Sequence, residues 1–142
     1  QFLIFIVYLQ IIIGAFVSGL DAGKIYQTWP LMGTNFYPDD IILVNLKNLL
    51  EFSNHSLVQF YHRNLAYLIV LYVIFLTIFI YQKKIKNLYR SVQFLIFVLL
   101  VQSLLGILTL ISDLNIYLAS IHQINSVLLI LSALNLYFLR AK

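Results

Sequence analysis

Leu57-Val58-Gln59-Phe60-Tyr61-His62-Arg63 opens an apolar run that continues without a charged side chain from Asn64 to Tyr81. A hydrocarbon core of about 30 Å is crossed by about 20 helical residues, so the run from Leu57 to Tyr81 is long enough to span a membrane. It carries a histidine about one turn into that span. Working outward, three further stretches read the same way: about Phe2 to Leu20, Ser91 to Ile111, and Ile116 to Leu139. The composition agrees, since 142 residues with 62% hydrophobic and 10% charged side chains hold too little polar surface for a water-soluble domain. The reading is an all-α integral membrane protein, one domain over residues 1–142, folded as an antiparallel four-helix bundle.

Charge in the connections sets the orientation. Gln82 to Arg90 holds Lys83, Lys84, Lys86 and Arg90 and no acid, and the chain ends Arg140-Ala141-Lys142. Basic loops face the cytoplasm, so both segments are expected inside. The net charge of +4 is then a matter of orientation and does not point to a nucleic-acid partner. The long polar segment from Asp21 to Ser56, with Asp39-Asp40, Pro30 and Pro38, is expected outside, as is the brief turn Ser112-Asp113-Leu114-Asn115.

Spans two and four therefore run in the same direction and lie diagonally in an up-down-up-down bundle. His62 and His122 then fall on the same side of the bilayer, within about 2 Å in depth at 1.5 Å rise per residue. One face of span two reads Gln59, His62, Ala66, Ile69, Val73, and one face of span four reads Ala119, His122, Ser126, Leu129, Ala133. Ionisable groups inside a membrane mark functional sites by default. Two imidazoles at one depth on diagonal helices suit the axial positions of a haem iron. The competing reading is a hydrogen bond from each histidine to a neighbouring helix. With no cysteine in the chain, iron–sulfur and zinc–thiolate chemistry is excluded. His55, about 10 Å from His62 along a helix, cannot share its iron and is taken as a loop residue. No Asp or Glu lies within a span, so no catalytic acid or base is identified.

Four other features carry expectations. Arg63 is placed either to pair with haem propionates or to reach the lipid headgroups. Gln59 and Gln123 are candidate donors around the ligands. Gly14 with Ser18, and Ala15 with Gly19, read as small residues for close helix packing. In the outer segment, Ile41 to Phe52 suits a short interfacial helix. There too, Tyr26, Trp29 and Met32 are expected to fold down as a lid, the indole contributing roughly 2–3 kcal/mol on burial, or else to anchor the loop at the headgroups.

The stretches Gly14-Ala15-Phe16-Val17-Ser18-Gly19-Leu20-Asp21-Ala22-Gly23, Tyr26-Gln27-Thr28-Trp29-Pro30-Leu31-Met32, Val58-Gln59-Phe60-Tyr61-His62-Arg63, Leu105-Gly106-Ile107-Leu108-Thr109-Leu110 and His122-Gln123 resemble the haem A synthase family, specifically its C-terminal four-helix half. The resemblance runs in order over essentially the whole chain. It implies an eight-span protein of two similar halves, one receiving haem O and the other holding a haem b. The reaction implied is oxidation of a porphyrin methyl group to a formyl group, giving haem A for cytochrome oxidase. His62 and His122 match the axial positions of the haem b half, with Arg63 and Gln59 beside them. Implied partners are the haem O substrate, haem O synthase, cytochrome oxidase assembly proteins and the lipid bilayer of a bacterial or mitochondrial inner membrane. The start at Gln1, with Met32 the only methionine, is read as a chain that continues upstream, and this half alone is expected to bind haem without turning over. The family often carries an acidic residue where this chain has Tyr61, and a Glu-Asn pair where it has Ser53-Asn54. Two other functions fit the residues: a membrane cytochrome b-type electron carrier without its own substrate, and a haem-free scaffold.

Overall fold

The computed structural model describes residues 1–40 and 51–140. Most of the expected interfacial helix Ile41 to Phe52, and Ala141-Lys142 of the basic tail, lie outside the described residues. Four helices are long and apolar enough to cross a membrane. They are α1 (Phe2–Gly19), α2 (His55–Gln82), α3 (Tyr89–Ile111) and α4 (Ile116–Arg140).

Local chemistry sets the ends. The α1 helix stops where Asp21 takes a left-handed φ of 53°, followed by a 3₁₀ turn over Ala22–Lys24. Asn54 caps α2 by accepting from the Leu57 amide at 3.0 Å, which satisfies one of the amides that a helix start leaves unpaired. That cap corrects one expectation: the helix begins at His55, two residues before the expected Leu57, so His55 is helical and no longer a loop residue. At 1.5 Å per residue its 28 residues reach about 42 Å, more than the hydrocarbon core, so its ends emerge into the interfaces. Between α3 and α4, Asp113 and Leu114 adopt φ of 55° and 56°, and the Asn115 side chain accepts from the Tyr117 amide at 3.0 Å.

Each helix packs on its sequence neighbours, and α1 closes the ring on α4. The closest pairings are α1 with α2 and α3 with α4, which makes the bundle two helical hairpins laid side by side. Contacts between α3 and α4 step in opposite directions along the chain: Gln102 meets His122, Val98 meets Asn125, and Ser91 meets Asn135. The apolar core occupies one half of the bundle's length. Leu3, Ile6 and Val7 of α1 meet Ile69, Val73 and Ile80 of α2, Val92, Leu95 and Val98 of α3, and Leu129, Ala133 and Leu136 of α4. The outer faces are as apolar as the core, with Phe5 61%, Phe97 63% and Ile124 72% exposed. Side chains of this kind turned outward on every helix suit lipid and not water.

Candidate functional site

The histidines stand above that core, toward the end where Tyr26 to Leu31 lie against α2. His62 is seven residues from the start of α2 and His122 six from the start of α4, a depth difference of about 1.5 Å by helical rise. On the faces expected to carry them, Gln59, Ile69, Val73, Leu129 and Ala133 are buried.

Each imidazole rests on a glycine of the neighbouring helix. A Cβ at Gly14 would lie 3.0 Å from the His62 Cε1, and one at Gly106 would lie 2.9 Å from the His122 Cε1. Gly14 is therefore an imidazole seat, and Gly19, which meets nothing within 4 Å, plays no part in close packing. The reading of the α1 small residues as a close helix contact therefore holds at Gly14, where the ring of His62 on α2 is what approaches, and not at Gly19. The ring nitrogens differ. Nδ1 of His122 lies 3.1 Å from the Gln102 carbonyl oxygen and donates to it, which leaves Nε2 with the lone pair. Nδ1 of His62 is buried and has no partner, as has Oε1 of Gln10 beside it. Among the described residues no three His, Cys, Asp or Glu side chains converge. Two imidazoles on different helices, with no third ligating side chain beside them among the described residues, thus fit an iron whose remaining positions come from a macrocycle better than a cage made of protein alone.

Arg63 and Gln59 serve the outer segment. Arg63 Nη1 donates to the Thr28 carbonyl at 2.9 Å and the Leu31 carbonyl at 3.1 Å, and Nη2 donates to the Tyr26 carbonyl at 2.8 Å. Gln59 Nε2 donates to the same Tyr26 carbonyl at 2.8 Å. These bonds, not the indole, hold the segment down. Met32 is 1% exposed, but Trp29 is 46% exposed, so the expected burial of its ring over the site does not occur. Gln123 is exposed. Tyr61 packs against Phe52 with ring centroids 6.4 Å apart.

The segment also ties the hairpins together. Gln27 Nε2 donates to Asp113 at 2.8 Å, and Gly23 lies under Leu114 so closely that a Cβ would come within 2.8 Å of it. On the other side Asp40 accepts from Tyr26 Oη at 2.8 Å and from Ser56 Oγ at 2.6 Å. Burial pushes the Asp40 carboxyl up, but the Ser56 and Tyr26 hydroxyls outweigh it and hold it below the ordinary 3.8. Burial and then the bond to Asp40 raise the Tyr26 phenol above 10.0. The signs are opposite. The Asp40 contribution is present above pH 3.8 and lost as pH falls through the lowered value. The Tyr26 contribution is present below pH 10.0 and lost as pH rises through the raised value. Trp29, the only tryptophan, reports on this segment. Its emission is expected to shift at both limits, with Asp40→Asn abolishing the acid transition and sparing the alkaline one. An acid transition that survives Asp40→Asn would assign it to another carboxylate.

Sequence reasoning placed both histidines but passed over Gln10, which sits in an apolar run with no charge to signal it. Repetition is the sign that was there: Gln-x-x-x-Gly occurs at Gln10 to Gly14 and again at Gln102 to Gly106.

Comparison with known proteins gives the same direction. The family model COX15-CtaA, described as cytochrome oxidase assembly protein, matches residues 1–134. Haem A synthase of Pelagibacter ubique is 44% identical over 138 residues, covering 97% of this chain and 39% of that protein. Haem A synthase of Rickettsia felis is 39% identical over 134 residues, 94% of this chain and 40% of that protein. The Wolbachia pipientis wMel protein of the same name is 39% identical over 135 residues, 94% and 36%. The chain spans about two fifths of the length of these relatives. No solved structure matches it. Four membrane-spanning helices and a family match over nearly the whole sequence agree, and the chain belongs to the COX15-CtaA family of cytochrome oxidase assembly proteins.

Proposed function

We propose that this chain is the haem b-binding four-helix half of a haem A synthase, an oxidoreductase that converts a methyl group of haem O to the formyl group of haem A. The carrying observation is the pair of glycine-seated imidazoles at one depth on diagonal helices. The names of the relatives support the reaction, and their greater length supports a second unit where haem O reacts. Held by His62 and His122, haem b would supply one-electron transfer.

The residues of this chain then have distinct tasks. His62 and His122 present nitrogen donors from opposite sides of the bundle axis. The Gln102 carbonyl fixes the His122 tautomer by accepting from Nδ1, an outer partner that raises the basicity of the ligating nitrogen. Arg63 and Gln59 hold the Tyr26–Leu31 backbone across the outer end, which excludes water there. Three of the five Arg63 N–H donors are taken by carbonyls, so two remain for an anionic group at that end, such as a propionate. The apolar core keeps the cytoplasmic half dry.

Purified with haem b, the chain is expected to show a six-coordinate low-spin spectrum, and conversion of haem O is expected only when it is joined to the remainder of the longer protein. High-spin haem, or none, would end the ligation reading. Low-spin haem in a full-length protein that leaves haem O unchanged would favour a simple membrane electron carrier.

A further inference from the structure

Both histidines are met by a second shared group besides glycine. Gln10 Nε2 lies 3.4 Å from Nε2 of His62, and Gln102 Nε2 lies 3.5 Å from Nε2 of His122. In each case the glutamine precedes the seating glycine by four residues, one helical turn, so amide and glycine fall on the same face. The two hairpins thus present the same local unit: a glycine under the ring, and a carboxamide against the nitrogen that an iron would take.

These amides are held in place by other, shorter bonds. Gln10 Nε2 also donates to the His62 backbone carbonyl at 3.0 Å. Gln102 Oε1 accepts from Asn125 Nδ2 at 2.8 Å, and Asn125 Nδ2 also reaches the Val98 carbonyl at 3.2 Å. Against a usual N–H donor distance of about 2.9–3.0 Å, contacts of 3.4 and 3.5 Å are long and weak. A neutral imidazole has one lone pair in the ring plane, so an amide proton and an iron on Nε2 exclude each other. A buried lone pair left with neither is unfavourable in an apolar span.

We propose that Gln10 and Gln102 are positioning residues that act as paired placeholders: each amide occupies the Nε2 lone pair of its histidine, keeps the ring on its glycine seat, and gives up the nitrogen to haem iron. The inference rests on the ligation reading above. An interhelical bond of ordinary kind would support the protein equally with and without haem. A placeholder supports only the protein without it. By linkage, whatever the amides add to the haem-free form opposes haem binding by the same factor.

The test compares the parent chain with Gln10→Leu/Gln102→Leu, which keeps volume and removes the donors, and with Gln102→Asn, which shortens the amide by one methylene. Thermal unfolding in detergent is recorded with and without haem b, alongside a haem titration followed by the low-spin band. In both variants the Tm is expected to fall by several degrees more without haem than with it, since the bonds to the His62 carbonyl and from Asn125 are affected in either form. The double variant is expected to bind haem about fivefold more tightly, the effect of two weak hydrogen bonds no longer competing. A double variant that folds only when haem is supplied gives the same answer. Equal losses of Tm with and without haem, or weaker haem binding, would overturn the placeholder role. A parent chain that neither gains Tm nor forms low-spin haem would instead overturn the ligation reading itself, so the two failures are distinct.

Discussion

His122→Ala is expected to remove nearly all bound haem, whereas His62→Ala is expected to retain a five-coordinate, high-spin fraction. Both single substitutions are expected to abolish the low-spin spectrum, because on the proposed ligation each would take one of the two donors to iron. The difference between them follows from the ring nitrogens. His122 has its tautomer set by the Gln102 carbonyl at 3.1 Å, while Nδ1 of His62 is buried without a partner. Outer partners of this kind change metal affinity about 10- to 100-fold, so the histidine that keeps its partner is the one able to hold haem alone. His55→Ala is expected to leave the spectrum unchanged, since seven residues of helix put it about 10 Å from His62. Optical spectra of the three variants at equal protein concentration decide the matter. Unchanged low-spin haem in both His62→Ala and His122→Ala would remove both residues as ligands.

Gly106→Val is expected to lower haem retention at least tenfold while Gly19→Val changes it less than about twofold. At Gly106 even the first added carbon would stand 2.9 Å from the His122 Cε1, and the valine methyls follow it into the ring. Overpacking of a fitted contact costs about 1–3 kcal/mol, and 1.4 kcal/mol is a factor of ten. Relief by rotating the imidazole breaks its bond to the Gln102 carbonyl, so the strain and the ligand geometry cannot both be kept. Gly19 meets no atom within 4 Å and controls for the loss of a helical glycine. Haem released to an excess of apomyoglobin measures the effect. Equal behaviour of the two variants would mean that the seat is not needed.

The sequence reached the bundle because hydropathy over 20 residues is a sum, insensitive to the fate of any one side chain. It reached the histidine pair because two rare ionisable groups had matching positions in parallel spans. What escaped was the set of acceptors that Arg63 holds: they are the carbonyls of Tyr26, Thr28 and Leu31, and every residue carries a carbonyl. Only the path of the chain tells which ones converge. Trp29 was misjudged because a large ring was assumed to order its own loop. Backbone bonds from α2 do so, and the indole is left 46% exposed. Gly14 was read as a helix contact because a small residue leaves space without naming what fills it.

The tie between Gln27 and Asp113, with Leu114 over Gly23, joins the two hairpins at the outer end, and Gln1 Nε2 donating to Tyr137 Oη with Gln93 Nε2 donating to Tyr81 Oη joins them at the other. Within a hairpin the helices are closely mated, and between hairpins the fit along α2–α3 and α1–α4 is looser. Mechanically this is a book clasped at both edges. A load that pries the hairpins apart therefore meets a polar clasp at either edge before it reaches the histidines.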